Sequence, residues 1–450
     1  MLARGMTVQG AKVRNVVLCG TVALAGCAKG DLGATRGGDT SSTETASTGK
    51  TSDGTSTNGV TDGATTVATS ATTTRGSTTS PLSTSGTTGG GCQLPWRTPM
   101  QTAALYGSTF HDDVLYVVGQ NESGTGHLAA IDPCGGAVMN AVQIGHAANP
   151  ETVWMGATGT TDGLFLAGWT SPGLGLRQGI YARVDLSTLN TDWTVPVDGA
   201  VAKKDHFNTI TELSTGRLWM VGKQGEALTQ LPWFGSGSSL GQACGFTWGG
   251  QPGEGHVLIE GTDVVYAIVN RLESAVLLHF DPTCTCGCAP TFTSAGIAIG
   301  AASTEVYDAV LLEGNLYVVG RAFDDLMSGD ARAFIAALDA ATGTITGQST
   351  YDDGALIDAQ LSLVTDGNVL FVGGVTKWSG VEYYGGGAGH IWAYDLPLIN
   401  GSQPLWDTDL TNIEAVVDVV HDPATGRLYL TAADGGSGIV IGCDENWTCE

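Results

Sequence analysis

Basic residues are scarce in this chain. Only 19 Lys and Arg stand against 44 Asp and Glu, a formal net charge of −25 over 450 residues. So acidic a protein repels nucleic-acid phosphates and anionic membrane surfaces, which excludes nucleic acid as a partner. Charged residues of both signs make up 14%, and long amphipathic helical patterns are absent, so a helical bundle is excluded. No apolar run reaches the roughly 20 residues that span a bilayer. Several enzyme signatures are missing too. There is no His-Glu-x-x-His, no EF-hand loop and no complete Gly-x4-Gly-Lys-Ser/Thr phosphate loop. The Asp pairs Asp112-Asp113, Asp324-Asp325 and Asp352-Asp353 lack Ca²⁺-loop spacing.

What is present begins with an export signal. Arg4, Lys12 and Arg14 precede an apolar stretch over 16–24, and no acidic residue comes before Asp31. A basic start, a short apolar run and small residues before a cut site describe a secretory signal over 1–26. The run ends Leu24-Ala25-Gly26-Cys27, which resembles the lipobox of bacterial lipoproteins. That resemblance implies cleavage before Cys27, lipidation of its thiol and a stable membrane anchor. Ala28 follows Cys27 in place of the Asp that favours inner-membrane retention, so the expected address is the cell envelope, at the outer membrane. Residues 27–91 then form a Ser/Thr/Gly-rich linker that cannot bury enough surface to offset its chain entropy. A disordered tether with a reach on the order of 45 Å is expected.

The remaining segment, 92–450, carries a repeat. Leu115-Tyr116-Val117-Val118-Gly119, Leu164-Phe165-Leu166-Ala167-Gly168, Leu218-Trp219-Met220-Val221-Gly222, Val265-Tyr266-Ala267-Ile268-Val269, Leu316-Tyr317-Val318-Val319-Gly320, Leu370-Phe371-Val372-Gly373-Gly374 and Leu428-Tyr429-Leu430-Thr431-Ala432 recur at intervals of 49, 54, 47, 51, 54 and 58 residues. An apolar strand and a turn rich in Gly, Asn or Asp precede each copy. A further strand follows most copies, usually closing in Asp, as in Leu128-Ala129-Ala130-Ile131-Asp132. Four short antiparallel strands per repeat, seven times, predict an all-β fold: a β-propeller of seven four-stranded blades preceded by the tether. A β-sandwich array or a parallel β-helix is the alternative. The repeat, notably Ala337-Leu338-Asp339-Ala340-Ala341-Thr342-Gly343, resembles the propeller repeats of secreted bacterial proteins and of quinoproteins. Quinoprotein dehydrogenases would be expected to show an adjacent Cys-Cys pair, which this chain lacks, and no cofactor is expected. The last repeat stops after its third strand, so the segment after Cys92 is expected to close the ring.

Eight cysteines remain beyond Cys19 and Cys27: Cys92, Cys134, Cys244, Cys284, Cys286, Cys288, Cys443 and Cys449. In an exported protein they are disulfide candidates. A four-thiolate zinc site from Cys244 and the Cys284-x-Cys286-x-Cys288 run is the alternative, but its spacing is tighter than a zinc knuckle. If the first segment closes the ring, a covalent clasp from Cys92 to Cys443 or Cys449 is expected.

Two sets of residues are candidates for a site. Acidic residues at the start of the innermost strands, Glu151, Glu254, Asp308, Asp358 and Asp418, with His206 and His256 in similar frames, would form a carboxylate ring at the channel mouth able to hold Ca²⁺. The connections 169–179, 321–332 and 375–389 carry Trp169, Arg177, Arg321, Arg332, Lys377, Trp378, Tyr383 and Tyr384. Trp, Tyr and Arg are the residues that anchor interfaces. The expected function is a cell-envelope lipoprotein that binds a protein or carbohydrate ligand, more a scaffold than an enzyme. The alternative is an envelope polysaccharide lyase or hydrolase at the channel mouth.

Overall fold

The computed structural model describes residues 92–449 apart from 101–102, 148, 150, 174–175, 198–203, 226–228, 250, 301, 326–328, 355, 380–385 and 436. These form seven four-stranded antiparallel sheets. Counted from the axis outward, the first strands of blades 1 to 7 are Ala103–His111, Glu151–Thr160, His206–Glu212, Gly253–Gly261, Ser303–Leu312, Ile357–Thr365 and Ala415–Asp422. No sheet mixes strands from distant repeats except the last, which rules out the β-helix. There Trp96–Met100 pairs with Ser437–Gly442 and supplies the fourth strand of blade 7. The ring therefore closes by strand exchange between the two ends, as the sequence predicts.

Apolar faces of neighbouring blades press together at every joint. Val118, Leu128 and Ala130 of blade 1 meet Trp154, Leu164 and Ile180 of blade 2. Tyr317, Val319 and Ile335 of blade 5 meet Leu370, Val372 and Trp392 of blade 6. The seventh joint sets Val440 and Tyr429 against Leu115, Val117 and Ala129. Burying one such aliphatic side chain contributes about 1.5–3 kcal/mol, so the joints carry most of the stability.

The terminal glycine of the repeat has a steric cause. Every first strand carries a β-bulge at the same place, on Tyr106, Met155, Asn208, His256, Tyr307, Leu361 and Val417. A bulge kinks its strand and strengthens the twist. Here it drives the carbonyl two residues earlier into the second strand. A Cβ on Gly119, Gly168, Gly222, Gly320 or Gly374 would run into the carbonyl oxygen of Ala104, Val153, His206, Glu305 or Ala359 respectively. Blade 4 has Val269 at this point, and places Gly255 opposite it instead.

First and third strands run the same way. Second-to-third and fourth-to-first connections therefore emerge on one face of the ring, the loop face. First-to-second and third-to-fourth turns emerge on the other, the turn face. Disulfides join Cys92–Cys134, Cys244–Cys286, Cys284–Cys288 and Cys443–Cys449, so these sulfurs form no zinc site. The expected clasp is corrected. Cys92 bonds the third-to-fourth turn of blade 1, and Cys443 closes a short loop with Cys449. Once the ring closes, blade 1 is the neighbour of the closing strand, which brings Cys134 rather than the C-terminal cysteines to Cys92.

Candidate functional site

The bulge sets a common register for the channel wall, and that register breaks up the predicted carboxylate ring. Only Asp308 and Asp418 are equivalent, each one residue after its bulge. Glu254 lies two before, Asp358 three before and Glu151 four before. Likewise His206 lies two before its bulge, whereas His256 is itself a bulge residue. Spacing to the next strand cannot show this, because the extra residue shifts everything that precedes it. Among the described residues no group of three or more His, Cys, Asp or Glu stands close enough to hold a metal ion.

Asp308 and Asp418 instead tie blades together. Asp308 Oδ2 accepts the amide of Leu363 in blade 6 (2.9 Å) and Asp418 Oδ2 accepts that of Ser108 in blade 1 (2.6 Å). Ser362, the equivalent residue of blade 6, accepts the amide of Val419 in blade 7 (3.2 Å). In three consecutive blades, then, the side chain after the bulge receives the amide two residues past the next bulge. Asp358 has a local task. It accepts the amides of Asp353 (2.7 Å) and Lys377 (2.9 Å), and burial pushes its carboxyl up against their pull. Glu151 is half-buried at the start of its strand.

Glu254 is the centre of a buried cluster. His206 Nε2 lies 2.9 Å from its Oε1, Asn208 Nδ2 donates to the same oxygen at 2.7 Å, Lys223 Nζ stands 3.3 Å from Oε2, and His256 Nε2 is 3.8 Å away. Burial pushes the Glu254 carboxyl up, but the Lys223 ammonium and then the His206 ring more than reverse this. They hold it well below the usual carboxylate range. Burial pushes His206 down, against the attraction of Glu254. The arrangement is an ionised Glu254 facing Lys223, with a neutral His206 donating from Nε2. A lone buried charge would be far costlier than this paired one.

Among the described residues, those predicted for the interface are not on loops. Trp169 and Arg177 lie in strands Gly163–Gly173 and Leu176–Val184, Arg321 in Asn315–Phe323, Arg332 at the start of Arg332–Asp339, and Trp378 at the end of Val369–Trp378. Strands run longer here than the apolar core of each repeat indicates. Arg177 is only 6% exposed and Arg321 only 4%, and Trp169 and Trp378 are buried. Arg177 packs over Trp169, 4.2 Å from the ring centroid. Arg321 pairs with Glu305 (2.7 Å) and sits among the rings of Tyr307, Phe323 and Trp378 at 5.0–5.7 Å. These residues brace the bases of the connections. Arg332 reaches Asp324 (2.7 Å) and Lys377 reaches Asp353 (2.6 Å), both partly exposed. Tyr383, Tyr384 and Cys27 lie outside the described residues.

Sequence reasoning missed Lys223, Asn208, Glu305 and Ser362, all of which the bulge register would have placed. It also passed over Gly237-Ser238-Ser239-Leu240-Gly241, whose spacing matches a nucleophile elbow. That motif needs a strand-to-helix turn. Here it forms the third-to-fourth turn of blade 3, where Ser238 Oγ accepts the Leu240 amide.

The channel holds a half-open cavity of about 150 Å³, lined by Gly107, Gly156, Thr209, His256, Asp308 and Asp418 among others. The fold and this channel define the protein as a seven-bladed propeller. No protein family and no curated protein matches the sequence. Among solved structures, a chain of a mitotic checkpoint complex aligns with a TM-score of 0.51 at 12% identity, over 82% of this chain and 97% of that one. A quinohemoprotein alcohol dehydrogenase from Pseudomonas putida aligns at 0.48 and 10% identity, over 80% and 77%. Another from Comamonas testosteroni aligns at 0.45 and 11%, over 78% and 76%. At such identities the first similarity speaks for the fold alone.

Proposed function

We propose that this protein is an envelope-anchored binding module, held to the membrane through Cys27 and its tether, that engages a protein or glycan on its loop face. One observation carries this reading. The strand ends Gly173 and Leu176, Phe323 and Arg332, and Trp378 and Ala388 all lie on the face without disulfides, and buried Arg177, Arg321 and Trp378 pack beside them. Rigidly based loops on a stiff scaffold are the usual setting of a recognition surface. The enzymatic alternative would need a titratable pair that substrate can reach, and His206 and Glu254 are both buried. Ca²⁺ is retained only as a variable of the test.

The soluble chain carrying Cys27→Ser is to be screened against glycans and envelope fractions with and without EDTA. A saturable ligand is expected. Tyr383→Ala with Tyr384→Ala should weaken it roughly tenfold, the effect of losing about 1.4 kcal/mol at an interface anchor. Release of products from an envelope polysaccharide would overturn the binding reading in favour of an enzyme.

A further inference from the structure

The outermost strand of each blade has one edge with no strand beside it, and such an edge invites another chain to pair. Six of the seven are blunted. Blade 2 has Asp192 and Pro196 in Thr191–Pro196, and blade 7 has Arg97 and Pro99 in Trp96–Met100. Blade 6 offers four residues, two of them Asp407 and Asp409, and blade 4 only Phe292–Thr293. The turn of blade 4 is bonded onto the blade 3 edge through Cys244–Cys286. Blade 5 is covered by the neighbouring turn of blade 6. Gly401 donates its amide to the Gln348 carbonyl (2.8 Å), and Asn400 Oδ1 accepts the Gln348 amide (3.1 Å).

Blade 1 is the exception. Its edge strand Val138–Gln143 is six residues without charge or proline, interrupted only by a bulge beside Ala130 at the turn-face end. Ile144 donates its amide to the Gly126 carbonyl (2.8 Å). Antiparallel alternation then turns the amides and carbonyls of Val142 and Asn140 toward Leu128 and Ala130, and those of Ala141 and Gln143 outward. Among the described residues no neighbouring element hydrogen-bonds to these outward groups. The side chains of Asn140 and Val142 face blade 2, whereas Met139, Ala141 and Gln143 are exposed. Val138 and Met139, 43% and 41% exposed, give the edge an apolar end.

We propose that residues 64–75 of the same chain dock on this edge as a fifth, antiparallel strand of blade 1. The chain that precedes the ring arrives where the edge begins. Cys92 is bonded to Cys134, and Gln93 donates its amide to the Cys134 carbonyl (2.8 Å), four residues before Val138. Residues 64–75 read Ala-Thr-Thr-Val-Ala-Thr-Ser-Ala-Thr-Thr-Thr-Arg, the longest part of 28–91 without Gly, Pro or an acid. Thr and Val favour a strand, and Arg75, the one charge, suits a protein of net charge −25. The 16 residues from 76 to 91 reach about 22 Å, which matches the length of a six-residue strand, about 20 Å. A six-residue edge falls far short of the roughly 20–30 residues a side of a stable interface, so a second copy would bind it weakly. A tethered segment needs less, because its effective concentration is on the order of millimolar. Docking leaves residues 28–63 as the free spacer. With the anchor proposed above, that draws the ring toward the membrane, but the docking itself does not depend on the anchor.

The test follows hydrogen exchange of the Ala141 and Gln143 amides by NMR in the full chain carrying Cys27→Ser, at several protein concentrations. The same chain with Thr66→Pro and Thr69→Pro is the comparison. These positions are three apart and so lie on opposite edges of a strand, so whichever edge pairs loses an amide. Both substitutions leave residues 92–450 unchanged. The two outward amides should exchange at least roughly tenfold more slowly in the natural sequence than in the proline variant, by the same factor at every concentration. Unprotected amides in the natural sequence, or protection that survives the prolines, overturns the proposal. Protection that grows with protein concentration also overturns it and assigns the edge to a second copy.

Discussion

On the turn face, four disulfides tie down turns and strand ends, two of them joining neighbouring blades. On the loop face, the corresponding positions hold paired charges, Lys223, Glu254 and Arg321 buried and Glu305 half-buried. Covalent bonds restrict the unfolded chain whatever the pH. Ion pairs act in the folded state and depend on protonation. The ring is therefore cross-linked at one end and electrostatically set at the other, and its loops emerge from the second.

The largest expected effect breaks the electrostatic end. Glu254→Leu leaves Lys223 buried without its anion and should cost about 3–5 kcal/mol in urea unfolding. A loss below roughly 1 kcal/mol, the value of an exposed pair, would show that the cluster is solvated. Next comes the covalent end. Cys92→Ser with Cys134→Ser opens a span of 42 residues and should cost about 2–4 kcal/mol. The Cys443 and Cys449 pair, only 6 residues apart, should cost less, since the entropy term grows with loop length.

The smallest effect separates the ends by pH. Burial lowers the pKa of His206, and likewise of His127 and His146 on the loop face. Such rings bind fewer protons folded than unfolded. Their contribution is complete above the unfolded value of about 6.5 and is lost as pH falls through it. Glu254, held low, adds a further loss as pH falls below the unfolded carboxylate value of about 4.3. The Cys92 and Cys134 double variant should lower stability at every pH without changing this slope. Titrating unfolding midpoints of both chains checks it, and parallel displacement is the expected result.

Much of the architecture is legible in sequence because sterics writes it there. Gly119, Gly168, Gly222, Gly320 and Gly374 mark where a bulged carbonyl forbids a Cβ. Asp132, Asp281 and Asp339 end third strands because their carboxylates accept turn amides. The site is less legible. A bulge inserts one residue without a residue type of its own, being Tyr106 in one blade and Val417 in another, so Glu151, Glu254 and Asp418 look aligned when they stand at different depths. Trp169 and Arg321 look like loop residues because polarity hides strand extensions buried by a neighbouring blade. Cys134 becomes the partner of Cys92 only when the ring is closed.

That bond also governs how the domain bears load. The chain enters the ring at Cys92, just before the closing strand Trp96–Met100. Tension arriving from residues 1–91 would otherwise peel that strand from Ser437–Gly442, one rung after another. With Cys92 joined to Cys134, the pull passes by covalent bonds into blade 1 and leaves the closing strand slack. The point where the ring is weakest in topology is thus shielded from any pull on the chain before Cys92.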